Sequence, residues 1–105
     1  DGVTFSGGEP MSQPEAFCNL AEAIKERGLN LIVYTGYTYE ELQKLGESRS
    51  AVQKLLDLTD LLIDGRFVLE QRDLSLLFRG SRNQRVIDMN QTRESGELTL
   101  AERYL

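Results

Sequence analysis

Three short stretches of this 105-residue chain combine polar side chains with glycine in a way that suits a polar ligand: Ser6-Gly7-Gly8, Tyr34-Thr35-Gly36 and Asp64-Gly65-Arg66. The first continues into Glu9-Pro10 and follows Val3-Thr4-Phe5, whose β-branched and aromatic residues favour a strand. Paired glycines let the backbone take φ > 0 and remove the side chains that would keep a ligand at a distance. Pro10 biases Glu9 toward an extended conformation. The spacing predicts an open row of backbone carbonyls and amides at a strand end. Each feature has a plainer reading as well. Glycine pairs serve tight turns, Asp64 suits a turn that its own carboxylate satisfies, and Arg66 suits a solvated surface.

The elements that must position these residues follow from periodicity. Ser12-Gln13-Pro14-Glu15 reads as a capping box opening a helix, with Phe17, Leu20, Ala21 and Ile24 as its buried stripe and Gly28 as its stop. Leu29–Thr35 is a nearly continuous apolar run, suited to a parallel strand covered on both faces. Thr38–Glu41 offers a second capping box, broken at Gly46, and Ser50–Gln53 a third. Asp60–Asp64 reads as another buried strand, with Asp60 structural. Strand, helix, strand, helix, strand is the rhythm of right-handed βαβ units. In such a sheet the carboxyl ends of the strands share one edge, where ligands bind, so the three stretches should converge.

Beyond Phe67 the rhythm weakens. Asp73–Phe78 reads as a short helix or docking loop, Val86-Ile87 as a last strand, and Ser95-Gly96 as the turn of a small terminal hairpin running through Leu98 and Leu100. Arg79–Arg85 places three arginines in seven residues, the composition of an anion patch or of a solvated loop.

The totals narrow the classes. A net charge of −5 without histidine disfavours nucleic acid as a partner. No apolar run approaches the ~20 residues of a membrane span. The lone cysteine, Cys18, excludes an internal disulfide and a cysteine-clustered metal site, and its place near the apolar stripe suits a buried, inert thiol. Together these fit a reducing cytoplasm and a single domain over residues 1–105.

SGGEP behind a short strand resembles the second motif of radical S-adenosylmethionine (SAM) enzymes. The pieces TFSGGEP (Thr4–Pro10), YTGYTYEEL (Tyr34–Leu42), LLIDGRF (Leu61–Phe67) and LFRGSRNQR (Leu77–Arg85) occur in the order found in the small activating enzymes of glycyl-radical proteins. The last piece resembles the branch that serves anaerobic ribonucleotide reductase. The resemblance implies an α/β fold, a partial parallel (β/α) barrel-like open sheet of the radical SAM type truncated at its N-terminus, with this chain as its SAM-binding portion. It implies that the backbone of Ser6, Gly7, Gly8, Glu9 and Pro10 receives the ammonium of SAM; its carboxylate needs a cation, and Arg66 can offer a bidentate fork. Thr35 and Asp64 then serve hydroxyls or orient those neighbours.

The implied activity is reductive cleavage of SAM by a 4Fe–4S cluster to place a radical on a glycine of the partner. An electron donor such as flavodoxin or ferredoxin would serve it. No acid, base or nucleophile is required of the chain. The CxxxCxxC loop that holds the cluster in such enzymes is absent here, so this stretch alone is expected to be inactive. Three other readings stand beside this one. They are a non-catalytic α/β ligand-binding or interaction module without the cluster, an activator of pyruvate formate-lyase, and a flavodoxin- or receiver-like domain. The last lacks the acidic cluster that a receiver needs after its first strand.

Overall fold

The computed structural model describes residues 2–6, 8–73, 75–76 and 79–101. Four strands, β1 (Gly2–Phe5), β2 (Asn30–Tyr34), β3 (Leu61–Asp64) and β4 (Arg85–Asp88), form one sheet in that order. The first three are parallel, with Phe5 opposite Val33 and Tyr34 opposite Ile63. β4 runs antiparallel to β3, placing Arg85 opposite Asp64. The sheet is thus open and mostly parallel.

Helix α1 (Pro14–Glu26) links β1 to β2, while α2 (Tyr39–Ser48) and α3 (Ser50–Leu58) link β2 to β3. Crossovers of one hand that step the same way across a sheet place their helices on the same face. Leu31, Val33 and Leu62 are fully buried in a core shared with α1, α2 and α3, including Ala21, Leu42 and Leu55. The opposite face is covered unevenly. Ile63 and Val86 are buried there beside Ala101, whereas Ile32 and Tyr34 are half-buried and Thr4 is exposed. β2 therefore alternates between full and partial burial, rather than being enclosed on both sides as its apolar run suggests.

Local signals were honoured selectively. The Thr38–Glu41 capping box forms in full: Glu41 N donates to Thr38 Oγ1 (3.2 Å) and Thr38 N to Glu41 Oε1 (2.8 Å). Gly28 follows α1 in the left-handed region, at φ 72°. The Ser12 box does not form, because Pro10–Ser12 makes a 3-10 turn in which Ser12 Oγ donates to Glu9 O (2.7 Å), leaving Gln13 as the cap of α1. The Ser50 box also fails: Arg49 caps α3, and α2 continues through Gly46 to Ser48. A Cβ on Gly46 would lie 2.8 Å from Gln53 Oε1, so the glycine serves close packing of α2 on α3 rather than a break.

The buried stripe of α1 is Pro14, Cys18, Ala21 and Ile24. Leu20 is 52% exposed, while Phe17 packs on Phe5 with ring centroids 4.9 Å apart. Asp60 is structural, as expected. It accepts from Lys25 Nζ (2.6 Å), Leu31 N (2.7 Å) and Asn90 Nδ2 (3.1 Å), tying β3 to α1, β2 and α4 (Met89–Ser95).

Ser95-Gly96 is not a hairpin turn. Gly96, at φ 79°, caps α4, after which Thr99 O accepts from Asp88 N and Ala101 N donates to Val86 O. The chain does return along β4, with a helix in place of the turn. Of the Asp73–Phe78 stretch, Leu74, Leu77 and Phe78 lie outside the described residues.

Candidate functional site at the strand tips

Parallel strands in one sheet must end at the same edge, and the three polar stretches do so. A hollow of about 180 Å³ is lined by Gly8 and Glu9 behind β1, Tyr34, Thr35 and Gly36 at the end of β2, and Gly65 behind β3. Phe67 and Gln84 complete it. An adjoining hollow of about 570 Å³ reaches Asp64, Arg66, Asn83 and Arg85 and shares Gly36 and Gly65 with the first. Among the expected site residues, Gly8, Glu9, Thr35, Asp64 and Arg66 line these two hollows. Ser6 is exposed outside them, Pro10 is buried in the 3-10 turn, and Gly7 lies outside the described residues.

The side chain of Glu9 joins two tips. Its Oε1 accepts from Gly36 N (2.7 Å), and its Oε2 accepts from the Thr35 hydroxyl (2.9 Å) and from Met11 N (3.1 Å). Thr35 Oγ1 in turn accepts from Tyr37 N (3.1 Å). Both groups therefore shape the loops around the hollow. Burial pushes the Tyr34 phenol up from its ordinary value, which keeps it neutral.

The tip of β3 is held by the arginine-rich segment. Asp64, 1% exposed, accepts from Tyr39 N (2.8 Å) and from Arg85 Nε (3.1 and 3.2 Å), with Arg85 Nη2 in closer contact still. Arg85 also donates to Glu40 Oε1 (2.7 Å). The Arg85 hydrogen bond holds the Glu40 carboxyl below its usual range, and the carboxylates of Asp64 and Glu40 raise the guanidinium's pKa above its ordinary value. Asp64 thus takes the plainer of its two readings, as a carboxylate satisfying the loop around it. Arg66 is exposed and enters no salt bridge among the described residues.

Arg79–Arg85 is neither a free anion patch nor a solvated loop. Arg79 Nη1 donates to Gln84 O (3.1 Å) and Arg85 is engaged with Asp64, leaving Arg82 exposed. Past the Asp64–Arg85 pair, Gly65 at φ 94° turns the backbone and the β3–β4 ladder stops. Side chains take over there. Gln84 Nε2 donates to Gly65 O (3.0 Å), Asn83 Nδ2 to Arg66 O (2.7 Å), and Ser81 Oγ accepts from Val68 N (3.1 Å). Sequence reasoning singled out this segment by its likeness to the reductase activators but not these contacts of Ser81, Asn83 and Gln84. Their one signal is two adjacent amide side chains placed where backbone carbonyls lack partners. Phe67, 52% exposed at the hollow, was missed too.

Cys18 does not fit a cluster ligand. It is buried in the α1 stripe, its thiol donates to Ala51 O (3.2 Å), and burial raises its pKa, so the thiolate form is disfavoured. Among the described residues no group of three or more His, Cys, Asp or Glu side chains could hold a metal ion. No helix among them is long and apolar enough to cross a membrane.

Comparison with known proteins agrees with the resemblance read from the motifs. The chain is similar to the anaerobic ribonucleoside-triphosphate reductase-activating proteins of Escherichia coli strain K12 (36% identical over 87 residues) and Haemophilus influenzae (38% over 87 residues). Each alignment covers 79% of this chain, and 53% and 52% of the respective relative. A shorter stretch of 42 residues is 48% identical to the choline trimethylamine-lyase activating enzyme of Oleidesulfovibrio alaskensis, covering 39% of this chain and 14% of that protein. The chain therefore spans about half the length of the reductase activators it matches. No solved structure matches at a significant level. Residues 1–87, which include every strand tip described above, match the 4Fe-4S single cluster domain, and the chain belongs to that family.

Proposed function

We propose that this chain is the SAM-binding portion of a radical SAM activase that generates a glycyl radical on anaerobic ribonucleotide reductase. The observation that carries the proposal is the meeting of Gly8, Thr35-Gly36 and Gly65 around one hollow, with Arg66 beside it. SAM offers an ammonium, a carboxylate, a ribose and an adenine. The backbone carbonyl of Gly8 is an acceptor for the ammonium, and the Arg66 guanidinium is a bidentate donor for the carboxylate. Glu9 and Thr35 keep the β1 and β2 tips together while the ligand sits between them. In this reading the sheet belongs to a larger barrel-like assembly, and the half-covered Ile32 and Tyr34 face its interior.

The lone, buried Cys18 cannot supply the ligands of a 4Fe–4S cluster, so no step is assigned to a cluster on this chain. On its own the chain is expected to bind SAM without cleaving it. The glycyl-radical partner, an electron donor such as flavodoxin or ferredoxin, and a cytoplasmic setting all belong to the same proposal. Calorimetric titration with SAM tests the claim of binding. Saturable binding that weakens about tenfold in Arg66→Ala is expected, as for loss of a charged hydrogen bond. Binding untouched by that change, or none at all, contradicts the assignment.

A further inference from the structure

We propose that Asn83 and Gln84 are positioning residues of this ligand site: their side-chain amides fix the Gly65–Arg66 backbone so that Arg66 is presented to the carboxylate of SAM. The inference rests on the strand-tip reading above and adds a role for the segment Ser81–Arg85. Three successive residues at the end of β3 are held by three successive residues of that segment in antiparallel order. Asp64 is held by Arg85, Gly65 O by Gln84 Nε2 at 3.0 Å, and Arg66 O by Asn83 Nδ2 at 2.7 Å.

The opposite ends of both amides are anchored. Gln84 Oε1 accepts from Gly80 N (2.8 Å) and Ser81 N (3.1 Å), and Asn83 Oδ1 accepts from the Ser81 hydroxyl (2.6 Å). Each amide is thus bonded at both ends, to its own loop and to the strand tip. Gln84 and Ser81 are buried, so the anchor is shielded from water, where such bonds count for most. Arg66 itself is exposed, and the bond at its carbonyl is what ties its backbone to the segment. A side chain long enough to swing through several rotamers gains pre-organisation only if its backbone is fixed.

The isosteric variants Gln84→Glu and Asn83→Asp test this. Both keep shape and acceptor oxygens but set a carboxylate oxygen against the Gly65 or Arg66 carbonyl in place of an N–H donor. Asn83 is exposed, so its variant also guards against simple misfolding. SAM affinity measured by titration is expected to fall about tenfold in each, with the melting temperature of Asn83→Asp nearly unchanged. Arg82→Ala, a change to the exposed arginine of the same segment, should bind as wild type.

A second readout needs no ligand. Amide exchange at Gly65, whose N–H donates to Tyr37 O at 2.9 Å, should accelerate in Gln84→Glu and not in Arg82→Ala. Wild-type protein that fails to bind SAM would overturn the strand-tip reading and this inference with it. Wild type that binds, while both variants bind equally well, would leave the site standing and overturn the positioning role alone. A loss confined to Arg82→Ala would restore the anion-patch reading.

Discussion

Replacing Arg85 by methionine should be the most damaging single change at the strand tips. Asp64 is 1% exposed, and Arg85 supplies its cationic partner through Nε and Nη2. Removing the guanidinium leaves a buried carboxylate with the Tyr39 amide as its remaining strong donor, since the contact from Arg85 N is long at 3.3 Å. Breaking a buried pair from one side typically costs about 3–5 kcal/mol. The Arg85 side chain is 31% exposed, which places the expectation near the lower end, about 3 kcal/mol. For a domain of this size that is a fall of roughly 12–20 °C in melting temperature.

Glu40, bonded to the same guanidinium, is 61% exposed, so Glu40→Ala should cost less than about 1 kcal/mol. Urea unfolding followed by circular dichroism measures both. Adding Asp64→Asn to Arg85→Met should recover part of the loss, because no uncompensated charge remains. Arg85→Met within about 1 kcal/mol of wild type, or Glu40→Ala as costly as Arg85→Met, would refute the assignment of Arg85 as the anchor of the β3 tip.

Two further predictions concern other contacts. Glu9→Gln replaces one of two acceptor oxygens with an N–H₂ that must oppose either the Gly36 amide or the Met11 amide, so a loss of about 1–2 kcal/mol is expected in the same urea assay, and an unchanged midpoint would contradict the suture between β1 and β2. Burial pushes the Asp60 carboxyl up, but the Lys25 ammonium, the Leu31 amide and Asn90 outweigh it and hold the group below its ordinary value. A carboxyl depressed in the folded state contributes stability that is present above its unfolded pKa of ~3.9 and lost as pH falls through the folded value. Asp60→Asn should therefore flatten the acid limb of stability below about pH 4, and an acid limb as steep as wild type would count against the Lys25 pair.

The parts of the fold that were legible in the sequence are those decided over a few residues. The βαβ rhythm rests on apolar runs of strand length between helical stripes, and it placed the first three strands and α1. Thr38–Glu41 formed its box, each side chain bonding the other's backbone amide. Ser12 met competition: Pro10 started a 3-10 turn, and the serine hydroxyl bonded Glu9 O instead. Gly46 misled because the contact that needs it, Gln53, lies on the next helix.

Burial of the sheet's second face misled for a comparable reason. An apolar run reports suitability for burial, while the crossovers decide which face receives helices. The candidate site divides in the same way. Glycines and polar residues at strand ends marked the edge, since topology alone gathers parallel strand tips. The Arg79–Arg85 segment resisted reading because its partners are the carbonyls and carboxylate of residues 64–66, whose positions depend on Gly65 ending the ladder. A cluster of arginines looks like a charged surface until one sees that two of the three, Arg79 and Arg85, are bonded to neighbouring protein groups.

The central claim is that three strand tips form one receptor for SAM. Titrating ¹⁵N-labelled protein with SAM and following backbone amide shifts tests it residue by residue. Gly8, Gly36, Gly65 and Arg66 should move together along one saturation curve, with α4 and the Asp60 end of the sheet still. Shifts confined to one tip, or scattered over the helical face, would contradict it.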